Sequence, residues 1–247
     1  MFKKLRRVLK AKTSENNILD KKKESAYFPK LKDNKDCTRL YLVIGPESTA
    51  TRLITKLLSQ HPNVVGTLDA SEHVDVLDDV WRFVENGEFQ KAKDVLPTIN
   101  KGSVFVTRRS MPHSLSANKP AEYLNFPDIY SFYKFCSENR ISLYLFVTSR
   151  SPVPTYVSSV NNRDSVSKSL KKAKFQNMAS YMFLFEAIIK LNLPFSLISL
   201  EALLNDKANF INSLFEIMGL DKSDLELDLH EDINLKKYDW YTLNKEL

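Results

Sequence analysis

Cysteine is nearly absent: Cys37 and Cys136 are the only two in 247 residues. They stand far apart and in no C-x-x-C pattern, which argues against a disulfide scaffold and against a cysteine-rich zinc site. A reducing, cytoplasmic setting is the expectation that follows. Long apolar runs are missing as well, and none is long enough to span a bilayer. The opening stretch, MFKKLRRVLKAK, has a basic front but neither an apolar core nor a small-residue cleavage site, so it does not read as a secretory signal. No internal repeat is visible.

What remains is the composition of a soluble globular chain, 43% hydrophobic and 27% charged, at a length that favours one domain with trimmings over two. The formal net charge is +6, with a pI near 9.1. That balance fits an anionic ligand, nucleic acid or a membrane surface and chooses among none of them. Much of the excess is local, in Lys3, Lys4, Arg6, Arg7, Lys10, Lys12 and Lys21 to Lys23. Residues 1–36 therefore read as a flexible basic tail. Phe2, Leu5, Val8 and Leu9 form a narrow apolar stripe there, which would allow contact with a membrane surface. Residues 37–247 are expected to be a single α/β domain.

The chain from Arg39 to Pro62, RLYLVIGPESTATRLITKLLSQHP, reads as a buried strand (Leu40 to Ile44), a glycine turn, and a helix from about Ala50 to Gln60. A strand, tight turn and helix gather backbone N–H groups and a helix N-terminus around one point, and such a point attracts phosphate. Ser48, Thr49 and Thr51 add hydroxyls, and Gly45 leaves the backbone open to approach. Further strands are expected at Asn63 to Thr67, Ser103 to Thr107, Ile141 to Thr148 and Phe195 to Leu200. Helical periodicity marks His73 to Val95 (broken near Asn86-Gly87), Pro127 to Asn139, Ser151 to Asn161, a long helix ending at Leu191, and Asn209 to Met218, which Gly219 would cap. On the long helix Met178, Tyr181, Met182, Phe185 and Ile189 read as the apolar side. Strands alternating with helices predict a three-layer α/β fold, a central parallel sheet flanked by helices, with ligands at the carboxyl ends of the strands.

Two such ends stand out: GPESTATR after the first strand, and Ser149, Arg150, Ser151, Pro152 after ISLYLFVT, with Ser158 eight positions beyond Arg150. A guanidinium there can grip a phosphate through two parallel hydrogen bonds. Together these segments resemble the sulfotransferases that use 3′-phosphoadenosine 5′-phosphosulfate (PAPS). In that family a strand-loop-helix of the form P-K-S-G-T-T cradles the 5′ side of the donor; here it is similar to Pro46, Glu47, Ser48, Thr49, Ala50 and Thr51. A later strand ending in R-x-P, with a serine eight residues after the arginine, holds the 3′-phosphate, and Arg150, Pro152 and Ser158 fit that spacing. Gln60, His61 and Pro62 look like the family's L-L-x-x-H-P, and Ser199 to Gly219 is similar to its closing strand-acidic-helix-Gly segment. The resemblance covers about Arg39 to Leu220, and it rests on the order and spacing of these segments.

The resemblance implies a P-loop-like fold and transfer of a sulfuryl group from PAPS to a hydroxyl or amine of an acceptor, a carbohydrate among the candidates, with no metal. Gly45, Pro46, Ser48, Thr49, Ala50, Thr51, Arg52, Arg150 and Ser158 would bind the donor. The family's loop lysine is replaced by Glu47 and its glycine by Thr49, a departure that bears on activity more than on fold. Arg52, Arg108 or Arg109 would have to supply the missing positive charge. His113, after the strand SVFVT, is the leading candidate base because imidazole titrates near neutrality, and Glu47 is its rival. Asn162 and Arg163, with Lys236 and Lys237, are lesser candidates for the nucleotide. His61 reads as structural, His73 and His230 have no context that singles them out, and Tyr238, Trp240 and Tyr241 read as core cover.

Two other classes remain open. A P-loop kinase or NTPase would need Gly, Lys and Ser or Thr where this chain has Ala50, Thr51 and Arg52, and no Asp-rich strand end for Mg²⁺ is visible. A non-catalytic binder of nucleotide or anionic glycan would keep the fold without the loop lysine. No nucleic-acid partner is expected, and the location expected is the cytoplasm, with peripheral membrane contact through the tail. The sequence is silent on oligomeric state.

Overall fold

The structure, a computed structural model, describes residues 37–66, 77–96, 104–112, 125–162 and 169–223. The basic tail over residues 1–36 lies outside them. Among the described residues five strands form one sheet in the order β2-β3-β1-β4-β5, and every pairing is parallel. The strands are β1 (Thr38–Pro46), β2 (Val64–Gly66), β3 (Val104–Met111), β4 (Ile141–Ser149) and β5 (Phe195–Ser199). The helices are α1 (Thr51–Leu58), α2 (Asp78–Glu85), α3 (Phe89–Val95), α4 (Ile129–Glu138), α5 (Pro152–Asn162), α6 (Leu170–Leu191), α7 (Leu200–Asn205) and α8 (Lys207–Ile217). The expected parallel sheet flanked by helices is what the chain forms.

β1 lies at the centre of the sheet, and Leu42, Val43 and Ile44 have no exposed surface. Such a strand reads as a continuous apolar run because helices cover both of its faces. The period of two still sorts its side chains. Leu40, Leu42 and Ile44 join a core with Trp81, Phe132, Leu145, Leu184 and Ile188, from α2, α4, β4 and α6. Tyr41 turns the other way, 5.6 Å from the Tyr144 ring and 5.4 Å from Phe146, and its hydroxyl donates to Ile217 O at 3.5 Å. Trp81 stacks on Phe132 with centroids 3.6 Å apart. Each fully buried side chain of this size stabilises the fold by about 1.5–3 kcal/mol relative to exposure.

Helix ends follow local chemistry. Asp128 caps α4 by accepting from Ser131 N–H at 3.0 Å, and Asp206 caps α8 by accepting from Asn209 N–H at 3.2 Å. Gly219, at φ 68°, ends α8 as expected. Its N–H reaches Glu216 O at 3.0 Å and that of Leu220 reaches Phe215 O at 2.9 Å, the paired bonds of a left-handed glycine cap. Arg39 of β1 donates to Met218 O at 2.7 Å and so ties this helix end to the sheet.

Several expectations need correction. β3 runs on to Met111, because its residues stay in register with β1 as far as Pro46↔Met111. Arg108 and Arg109 are therefore within the strand, not beyond it. A helix, α7, begins at Leu200, where Ser199 caps it by accepting from Ala202 N–H at 3.4 Å. The side of α6 expected to be apolar and inward is largely outward: Ala173, Ser180, Leu184, Ala187 and Ile188 are buried, whereas Met178, Met182 and Ile189 are 52, 72 and 78% exposed.

Candidate functional site

Strand order decides where a ligand would sit. The chain leaves β1 toward β2 and β3 on one side, then crosses to β4 on the other, so the direction reverses between β1 and β4. The crevice beyond the carboxyl ends of strands at such a reversal is where parallel sheets bind ligands. Gly45 to Thr51 leaves β1 there, and Thr148 to Pro152 leaves β4.

The first loop is tightly bent. Ser48 and Ala50 have φ 66° and 72°, left-handed values that bracket Thr49. Alternating handedness of this kind turns successive N–H groups toward one concave side, a shape that suits an anion. Ile54 is the first α1 residue whose N–H reaches back along the helix, to Ala50 O at 3.1 Å. The N–H groups ahead of it precede the ladder, and the Ala50 cap offers them no side-chain acceptor. Ser48 Oγ is buried and has no hydrogen-bond partner among the described residues. A buried hydroxyl left in this way costs on the order of 1–3 kcal/mol unless something satisfies it. A phosphate oxygen would do so.

Hydroxyls fasten the loop to its neighbours. Thr49 Oγ1 donates to Pro46 O at 2.6 Å, so in its 2.6 Å contact with Thr148 Oγ1 the proton comes from Thr148. Thr51 Oγ1 lies 2.9 Å from Ser110 Oγ at the end of β3. Glu47 N–H donates to Met111 O at 2.9 Å, and the Glu47 side chain is buried at 6% exposure. Across the crevice Arg150 Nη1 donates to Ser48 O at 3.3 Å. The two segments singled out in the sequence are thus in direct contact.

The second loop is braced from behind. Tyr181 of α6 donates its hydroxyl to Thr148 O at 3.0 Å. Burial, with Tyr156 and Glu201 adding to it, pushes this phenol up to about 12, so it stays a donor. Glu201 of α7 accepts from Ser151 N–H at 2.7 Å and from Ser199 Oγ at 2.9 Å. Burial works against the charge of Glu201, and the hydrogen bonds outweigh it, holding the carboxyl below the usual range. Ser158 is buried on the second turn of α5, and Arg52 is exposed at the start of α1.

Arg108 and Arg109 separate, as successive strand residues must. Arg108 shares the face of α1 with Ser110. Arg109 goes to the opposite face, where it donates from Nη1 to Asp78 Oδ1 at 2.5 Å and lies 4.9 Å over the Trp81 ring. The two side chains do not converge on one group. His61 is 4% exposed; its Nδ1 accepts from Asn63 N–H at 3.1 Å, which leaves Nε2 to donate to Asp221 O at 3.2 Å. That is a structural histidine, tied down through both ring nitrogens. His113, His73, His230, Arg163, Lys236, Lys237, Tyr238, Trp240 and Tyr241 lie outside the described residues, as does the side chain of Asn162.

Sequence reasoning missed Thr148, Tyr181 and Glu201. Thr148 and Glu201 carried a local signal, a hydroxyl closing the strand ahead of S-R-S-P and an acidic residue in the first turn of a helix. Tyr181 carried none, because its contact with Thr148 spans the fold. Among the described residues no group of His, Cys, Asp and Glu is placed to hold a metal ion, and no helix is long and apolar enough to cross a membrane.

No protein-family model matches the chain, and none of the curated proteins does. Among solved structures it is similar to the sulfotransferase domain of the curacin biosynthetic pathway, at 10% identity and TM-score 0.44 over 74% of this chain and 75% of that one. It is similar to the sulfotransferase from Alicyclobacillus acidocaldarius at 13% identity and TM-score 0.44, over 83% and 88%. It is also similar to the sulfotransferase domain of the Synechococcus PCC 7002 olefin synthase at 13% identity and TM-score 0.45, over 88% and 86%.

Proposed function

We propose that the β1–β4 crevice binds a doubly phosphorylated adenosine and that the chain is a sulfotransferase, moving a sulfuryl group from PAPS to a hydroxyl or amine of its acceptor. The observation that carries this reading is the 3.3 Å contact between Arg150 Nη1 and Ser48 O, which joins the two segments whose motifs resemble the donor-binding segments of that family. The residues present suit the ligand. The bent loop offers N–H groups and the buried Ser48 hydroxyl to the phosphate on the 5′ side. Arg150, at the end of β4, offers a guanidinium to the 3′-phosphate, and Ser158 of α5 is the second donor proposed for it.

PAPS, when bound, supplies the activated sulfuryl group. The protein positions the acceptor, spreads negative charge and removes a proton. Arg52, at the exposed start of α1, and Arg108, on the α1 face of β3, are the cations proposed to supply the positive charge where Glu47 replaces a lysine. His113 is assigned the proton, with Glu47 as the alternative base within the loop itself.

Titration of the purified chain with 3′-phosphoadenosine 5′-phosphate (PAP), and separately with ATP and Mg²⁺, tests the reading. PAP is expected to bind more tightly, and Arg150→Ala to weaken it by about 1.5–3 kcal/mol, or roughly 10- to 150-fold, the range for a hydrogen bond to a charged group. Equal affinity in Arg150→Ala and the parent, or tighter binding of ATP and Mg²⁺, would overturn it. PAPS turnover with a panel of hydroxyl and amine acceptors then separates an enzyme from a binder.

A further inference from the structure

α6 is apolar on both sides. Its inner side is made of small or branched residues, Ala173, Ser180, Leu184, Ala187 and Ile188, and these pack inward. Its outer side carries Phe175, Met178, Met182 and Ile189, with Phe185, partly buried against the core, at the edge, and the five are spaced alternately by three and four residues. That spacing is the seam of a helix that packs against another helix, because it keeps one narrow stripe facing the partner over successive turns. Yet Phe175 is 63% exposed, Met178 52%, Met182 72% and Ile189 78%. A helix apolar all round is normally covered on every side.

The stripe continues onto the sheet. Phe185 lies 6.0 Å from Phe195 of β5, edge to face, and next to it Leu197 is 60% exposed. β5 is an edge strand and, among the described residues, pairs only with β4. Summed over these side chains, the exposed apolar area is on the order of 700 Å². That exceeds the largest patch usual on a monomer and approaches the roughly 800 Å² that each partner buries in a stable interface.

We propose that this face docks a second copy of the same chain, with the two α6 helices antiparallel about a two-fold axis midway between Met178 and Met182. The stripe is self-complementary about that point. Turned end for end, it sets Phe175 opposite Phe185 and Met178 opposite Met182, the reciprocal pairing a two-fold interface requires. Charge selects the same orientation. Lys171, Lys172 and Lys174 crowd the first turns of α6, so a parallel pair would set lysines against lysines. The antiparallel pair brings them to the partner's helix C-terminus, where the dipole is negative. Glu186 and Lys190 already pair with each other within the helix.

Sedimentation of the full chain at micromolar concentration tests this. The expected mass is twice the 28.5 kDa of one chain. Met182→Glu, at a position 72% exposed, is expected to give single chains with an unchanged circular dichroism spectrum and melting temperature. Orientation is read in a Cys37→Ser background. Met178→Cys mixed with Met182→Cys should form a disulfide-linked pair under mild oxidation, whereas Phe175→Cys alone should not. A single-chain mass for the parent, a pair that survives Met182→Glu, or a pair in which Met178→Cys and Met182→Cys fail to link would each overturn the proposal. So would a single chain that floats with anionic vesicles and loses that property in Met182→Glu, which would assign the stripe to a lipid surface.

Discussion

At Gly45 there is no room for a methyl group. A Cβ built there would lie 2.2 Å from Thr148 Oγ1 and 2.8 Å from Thr148 O, so the ends of β1 and β4 approach each other as closely as they do only because the residue is glycine. Gly45→Ala is expected to destabilise the fold by about 1–3 kcal/mol, the usual cost of forcing added atoms into a packed site. Chemical denaturation measures it, and a midpoint equal to the parent's would show that the two strand ends are free to part. The sequence reads this glycine as a turn residue, whereas it lies within β1 in register with Ser110, and the approach of Thr148 is what requires it. Its partner was not legible: nothing local to Thr148 says that its hydroxyl will meet Thr49, 99 residues earlier in the chain. Arg150 was legible from R-x-P, whereas the separate fate of Arg109 was hidden, since Asp78 and Trp81 belong to another helix.

Elements carry the next level. α5 begins where Ser151 N–H is held by a carboxylate of α7, so the start of one helix depends on the ionisation of a residue in another. A carboxyl held below its ordinary value stabilises the fold fully above that value, and the contribution is lost as pH falls through the depressed one. Glu201 is only partly buried, so water screens the effect. The melting temperature is expected to fall as pH drops below about 4.3, the ordinary glutamate value, and to fall less in Glu201→Gln over the same range. Identical slopes would remove Glu201 from the account. Element type was readable from periodicity, and element limits less so. β3 exceeded its apolar run because pairing with β1 carried Arg108 and Arg109 along. α6 defeated the pattern for another reason: with apolar residues on both sides, the larger ones suggested the inner face and the smaller ones occupy it.

For the molecule as a whole the two thiols report on integrity. Cys136 is 1% exposed, and burial pushes its pKa well above the ordinary thiol range. Cys37 is half-buried, its Sγ donating to Arg140 O at 2.7 Å. Alkylation of the native protein near neutral pH is expected to label Cys37 and to spare Cys136 until the chain unfolds, as counted by intact mass before and after denaturant. Labelling of both thiols at equal rates would mean that the core around α4 opens readily. The layered α/β architecture was legible because alternating strands and helices leave few other ways to bury both faces of a sheet. The strand order was not, since it depends on which strand each connection passes over.

One consequence follows from the bond between the Thr49 and Thr148 hydroxyls. It joins the turn after β1 to the end of β4 from inside, so spreading the two would cost a net of about 0.5–1.5 kcal/mol. The loops that follow β1 and β4 therefore keep their spacing without help from any bound molecule.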